Sequence, residues 1–89
     1  MESNSAVAGL RKKWGLTQNE LAGMLGITQR ALVDIETGKT RLRHIHVLAL
    51  ERISLELAVE RGDASLALRP VAHFAMKYAA AFPRLESAS

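Results

Sequence analysis

Apolar residues recur at helical intervals in five separate stretches of the chain. Val7, Leu10 and Trp14 lie three and four residues apart, the spacing that puts side chains on one helix face. Ser3, Asn4 and Ser5 precede them and are residue types that cap helix starts. Gly15 follows and suits the left-handed turn that closes a helix, so a first helix is predicted over about 6–14. Thr17-Gln18-Asn19-Glu20 has the form of a capping box. Leu21, Met24 and Leu25 then supply an apolar face, and Gly26 ends a second helix predicted over about 18–25. Thr28 caps the next start, Ala31, Leu32 and Ile35 form its stripe, and Gly38 ends it, which gives a third helix over about 29–37.

The second half of the chain is patterned differently. From His44 to Arg61 the sequence reads as one long helix. Leu48, Leu55 and Val59 fall on one side of it, and Leu50, Ile53 and Leu57 on another. So wide an apolar arc needs two partners. One can be the core of the preceding helices; the other must be the C-terminal segment or a second subunit. Gly62-Asp63-Ala64-Ser65 is a break. Leu66 to Arg69 reads either as a short helical turn or as an extended piece. Pro70 suits the first turn of a helix, where its missing amide proton is not needed. Val71, Phe74, Ala75, Tyr78 and Phe82 then form an amphipathic stripe, and Pro83 ends a helix predicted over about 70–82. The tail Arg84–Ser89 is expected to fray. The fold class expected is all-α, with five helices in a single domain over 1–89. The sequence has no internal repeat and no low-complexity tract.

Length and composition narrow the function classes. A chain of 89 residues buries roughly 60–65% of its unfolded surface, enough for one helical core and no second active domain. There is no cysteine, which excludes disulfides and thiolate metal sites and permits a reducing cytosol. The longest apolar run, Tyr78 to Phe82, cannot span a bilayer. Met1-Glu2-Ser3-Asn4 carries an acid and no basic apolar leader, so it is not expected to be a secretory signal. A cytoplasmic, nucleoid-associated location and no membrane partner are expected. The formal net charge is +3, and all of the excess lies before residue 44, which points to a polyanionic partner for the first half.

Candidate chemistry is sparse. His44 and His46 are two apart and do not share a helix face, and no third ligand stands at a metal-binding interval, so no metal is expected. His44 is placed to cap the fourth helix or to meet a phosphate, and His73 is expected to be partly exposed. No phosphate loop, nucleophile elbow or carboxylate pair is present. Neither an enzyme nor a cofactor is expected.

One constellation stands out. The segment Gln18 to Gly38 holds two short helices joined by a tight turn. Ala22 is small, as a close helix crossing requires. Gly26 occupies the turn. Leu21, Leu25, Ile27, Leu32 and Ile35 can lock the two helices at a fixed angle, which turns the N-terminal half of the third helix outward, in position to enter a major groove.

At this point the sequence resembles a family. Gly15-Leu16-Thr17-Gln18-Asn19-Glu20-Leu21-Ala22, then Gly26-Ile27-Thr28-Gln29, then Ile35-Glu36-Thr37-Gly38-Lys39-Thr40, is similar to the XRE-type helix-turn-helix family of phage repressors and Cro proteins. The likeness covers roughly residues 7–45. It implies a repressor-like fold that binds double-stranded DNA. It also implies that Gln29, Arg30 and Asp34 face base edges, where glutamine can bond adenine and arginine guanine in two places each. Asp34 can instead orient Arg30, or accept from a cytosine amino group. Gln18, Thr28, Lys39, Thr40, Arg41 and Arg43 are expected on the DNA backbone, with Gln18 also bracing the third helix. Arg11 and Glu36 match a pair that forms an internal salt bridge in the family. Trp14 is read as core, and Lys12 and Lys13 as a solvated face.

The chain departs from the family in its long fourth helix and late apolar stripe. Such surface left bare invites aggregation. Leu55, Val59, Val71, Phe74, Tyr78 and Phe82 are therefore expected to build a homodimer interface, with exchange of the fifth helix between chains as one form of it; the alternative is a monomer whose fifth helix folds back on its own core. Three functions compete. One is a repressor that reads a palindromic operator as a homodimer. Another is an antitoxin that controls its own operon and neutralises a toxin partner through its C-terminal region. The last is a protein-interaction module that has lost DNA binding. The basic and amide side chains of the third helix argue against the interaction module.

Overall fold

The computed structural model describes residues 5–82. Five α-helices follow one another: α1 (Ser5–Lys13), α2 (Gln18–Leu25), α3 (Gln29–Glu36), α4 (His44–Arg61) and α5 (Arg69–Ala81). A 3-10 turn at Ala64–Leu66 precedes α5. No strand occurs among the described residues. The proposed caps Ser3 and Asn4, the stop at Pro83 and the tail Arg84–Ser89 lie outside the described residues.

The helix ends follow from local chemistry. The Thr17 hydroxyl accepts the Glu20 amide at 3.1 Å, and the Glu20 carboxylate accepts the Thr17 amide at 2.8 Å. Both halves of the capping box are therefore made at α2. Hydrogen bonding to the carboxylate, from the Thr17 backbone first and the Thr17 side chain second, holds the Glu20 carboxyl below its ordinary value. Thr28 caps α3 by accepting the Ala31 amide at 3.0 Å. At the other end of α2, Gly26 has φ +76°. The Ile27 amide then reaches the Ala22 carbonyl at 3.0 Å and the Gly26 amide reaches Gly23 at 3.2 Å, the paired bonds of a Schellman motif. The same two-bond closure ends α1 at Gly15 and α4 at Gly62.

The chain forms two compact units, one running to Leu50 and one starting at Glu51 within α4. In the first, α2 and α1 both pack on α3. Val7, Trp14, Leu21, Ala22, Leu32 and Ile35 are buried, and each large side chain among them contributes about 1.5–3 kcal/mol. Trp14 belongs to the core, although its indole N–H lacks a hydrogen-bond partner there. Met24 departs from expectation. It is exposed, because in this short helix the buried arc is taken by Leu21 and Ala22.

In the second unit Ile53, Leu57, Ala58 and Leu66 are buried. Ser54 is fully covered as well. Its hydroxyl donates to the Glu51 carbonyl at 2.6 Å and accepts the Leu68 amide at 3.0 Å, so α4 is fastened to the residue that caps α5. After Gly62 a 3-10 turn occupies Ala64–Leu66, inside the predicted break and its next residue, whereas Ala67 and Leu68 have extended backbone before α5 starts at Arg69. The Asp63 carboxylate caps that turn by accepting the Ser65 amide. Along α4 the Leu50, Ile53 and Leu57 side is the buried one, while Leu48 and Val59 are exposed. No residue of α5 is fully buried.

Candidate nucleic-acid interface

The third helix stands with its apolar face inward and its polar start outward. Leu32 and Ile35 are buried, whereas Thr28, Gln29 and Arg30 are exposed. All three lie in or just before the first turn, where free backbone amides and the helix dipole favour an anion. Three consecutive exposed residues on this outer end supply an amide, a guanidinium and a hydroxyl.

The orientation of α3 is fixed by a polar cluster at its far end. Glu36 is buried. Its Oε2 lies 2.7 Å from Arg11 Nε, and its Oε1 accepts from Arg11 Nη2 at 3.2 Å and from Gln18 Nε2 at 3.0 Å. Arg11 Nη1 also donates to the Leu16 carbonyl at 3.1 Å. One carboxylate thus ties together α1, the start of α2 and the end of α3. Burial pushes its carboxyl up, but the Arg11 and Gln18 hydrogen bonds and the Arg11 and Lys12 charges outweigh that effect and leave it below the ordinary value. The fork of Arg11 on both oxygens is the strong geometry for such a pair. Gln18 braces α3 with its amide N–H, which leaves its carbonyl oxygen outside that bond.

Asp34 sits one turn after Arg30 on the same helix. Arg30 Nε is 3.5 Å from Asp34 Oδ1. The arginine side chain is 75% exposed and the aspartate 23%, so the carboxylate is half-buried and the guanidinium reaches outward. The Asp34 carbonyl accepts the Thr40 amide at 3.0 Å, which ties the helix to the basic loop.

That loop presents Lys39, Thr40, Arg41 and Arg43, all exposed. Residues Thr40 to His44 line an open concavity of about 550 Å³. A residue missed from sequence helps hold the loop. His46 Nδ1 accepts the Arg43 amide at 3.0 Å. Arg43 precedes α4, so His46 occupies the third helical position, where Glu20 serves α2. Capping was expected of His44, but His46 has the reach, three residues beyond the cap. That interval was the available signal. Ser54 was missed too, because its partner lies 14 residues away. Among the described residues no group of His, Cys, Asp and Glu could hold a metal ion, and no helix is long and apolar enough to cross a membrane.

The residues expected at a subunit interface lie in the second unit. Val59, Phe74, Tyr78 and Phe82 are exposed, with Phe74 at 69%. Leu55 and Val71 are half-buried. Tyr78 and Phe82 rings lie 5.1 Å apart. A shallow groove of about 550 Å³ runs beside Leu55, Val71, Phe74, Tyr78 and Phe82.

A family model described as Helix-turn-helix matches residues 7–54. No curated protein and no solved structure matches the chain. The matched span holds the capped pair α2 and α3, the Arg11–Glu36–Gln18 cluster and the basic loop. The chain belongs to the XRE-type helix-turn-helix family and is a DNA-binding transcription regulator.

Proposed function

We propose that the protein is a repressor that binds a palindromic operator as a homodimer. The observation that carries this reading is the outward start of α3. Gln29 and Arg30 in its first turn are exposed, while Leu32 and Ile35 farther along the helix are buried. In the bound state Gln29 and Arg30 meet base edges in the major groove. Thr28, Gln18, Lys39, Thr40, Arg41 and Arg43 hold the sugar-phosphate backbone and set the register. Repression follows from occupying promoter DNA.

The dimer is formed by the second unit. Val59, Phe74, Tyr78 and Phe82 leave an apolar surface that a monomer of this size rarely keeps bare. In a two-fold interface the same patch serves both subunits. Arg52 and Glu56, 3.1 Å apart and exposed, border that patch with both signs of charge, as a self-complementary rim requires. Two recognition helices related by the axis read half-sites about 34 Å apart, near ten base pairs.

A gel-shift assay with the DNA flanking the protein's own gene tests the reading. Wild type should form a discrete complex at nanomolar protein. The double variant Q29A/R30A, with helical content unchanged, should lose it. Equal binding by both proteins would place base recognition elsewhere.

A further inference from the structure

Arginine reads guanine through two parallel N–H donors, one to O6 and one to N7. The guanidinium of Arg30 has its Nε beside Asp34 Oδ1 at 3.5 Å. Both terminal nitrogens are therefore left for a base. The two partners are held very unequally. Asp34 has a short side chain that is 23% exposed, on a stretch of backbone whose carbonyl accepts from the Thr40 amide and the Thr37 hydroxyl. Arg30 is mostly exposed and swings on a long stem with many rotamers.

We propose that Asp34 is a positioning residue for Arg30 and sets the protein's preference for guanine at one operator position. This rests on the reading of α3 as the DNA-facing helix. The carboxylate acts in two ways. It restricts the guanidinium to the orientation in which its outer edge faces the groove, so less freedom is lost on binding guanine. It also places a negative charge on a helix that approaches phosphates. That charge opposes approach to any duplex, and only a site whose guanine engages Arg30 offsets it. Specific binding gains from the first effect and non-specific binding loses from the second, so the ratio between them widens.

The test is selection of binding sites from random duplexes by the intact protein. Wild type, R30A, D34A, D34N and the R30A/D34A double variant are compared. Anisotropy titrations follow on the wild-type site and on random DNA at one salt concentration. R30A should lose a guanine preference at one position. D34A should blur that same position, weaken binding to the selected site by about 10-fold, and tighten binding to random DNA by about 3-fold. D34N keeps an acceptor for Nε without the charge. It should retain the guanine and still bind random DNA more tightly. In the R30A background D34A should alter no base preference.

Undiminished guanine selection by D34A, with R30A erasing it, overturns the proposal alone. A base preference lost on adding D34A to R30A also overturns it, because Asp34 would then be reading a base itself. If R30A selects the wild-type site unchanged, Arg30 reads no base and the proposal fails, while base reading by α3 then rests on Gln29 alone.

Discussion

A single carboxylate shows how individual residues fasten α3 to its neighbours. Glu36 lies 25 positions from Arg11 and 18 from Gln18, yet both converge on it in a covered position. Removing one partner of such a pair strands the other charge away from water. Arg11→Met should therefore lower stability by about 2–3 kcal/mol, measured by urea unfolding. A loss below a few tenths would mean that solvent already satisfies the carboxylate. The pH dependence has a definite sign. The Glu36 carboxyl in the folded chain lies below its ordinary value of 4.5. Its contribution is full above that value and is lost as pH falls through the lower folded value. Wild type should thus lose stability on acidification below pH 4.5 more steeply than E36Q. Parallel curves would remove Glu36 from the account. Ser54 makes a second case. Ser54→Ala leaves the Leu68 amide unpaired inside the second unit and should cost about 1–3 kcal/mol. Thermal unfolding that matched wild type would argue that water reaches that amide.

At the scale of elements, the helix boundaries were legible because their determinants are local. Thr17 and Glu20 are three residues apart, Gly26 closes the helix they open, and Thr28 opens the next. Each of these signals is contained in a few consecutive residues, so periodicity and capping types placed α2 and α3 to within a residue. Gly26 has nothing near the position a Cβ would take, and its φ is +76°. Gly26→Ala is therefore limited by backbone conformation rather than by space. It should cost about 1 kcal/mol in urea unfolding, where an alanine preferring α-helical φ must adopt a left-handed one. No loss would mean that the turn rearranges freely. What the sequence hid at this scale is tertiary. Ser54 acts through the Leu68 amide, 14 residues away at the start of the next helix, whereas the His46 cap is local, three residues from Arg43. Met24 stands at helical spacing yet is exposed, since periodicity marks a face without saying which edge of it is covered.

For the whole molecule, the residues proposed to read bases and to hold the DNA backbone were named by resemblance rather than by periodicity. Of those residues Thr28, Gln29 and Arg30 are exposed at the start of α3 and Lys39, Thr40, Arg41 and Arg43 in the loop, whereas Gln18 and Asp34 are half-buried. The long α4 was anticipated as an apolar arc too wide for one partner, and its Leu50, Ile53 and Leu57 side is the buried one. Hydropathy could not say which side that would be, because both sides of the arc carry leucine. The exposed remainder carries the dimer proposal. Phe74→Glu should turn a dimer into a monomer in sedimentation equilibrium while leaving helical content unchanged. It should also weaken operator binding by about 10-fold or more, since two half-sites would no longer be engaged together. A wild-type protein that sediments as a monomer at micromolar concentration would contradict the two-fold arrangement. DNA affinity should fall steeply with added salt, because each phosphate contact releases counterions.

The account turns on which surface meets DNA. Titrating isotope-labelled protein with its selected duplex, and following backbone amide resonances, addresses this directly. The largest shifts should fall on residues 28–34 and 39–43, with the amides of α5 moving little. Shifts concentrated on Val71 to Phe82, with Gln29 and Arg30 unmoved, would contradict it.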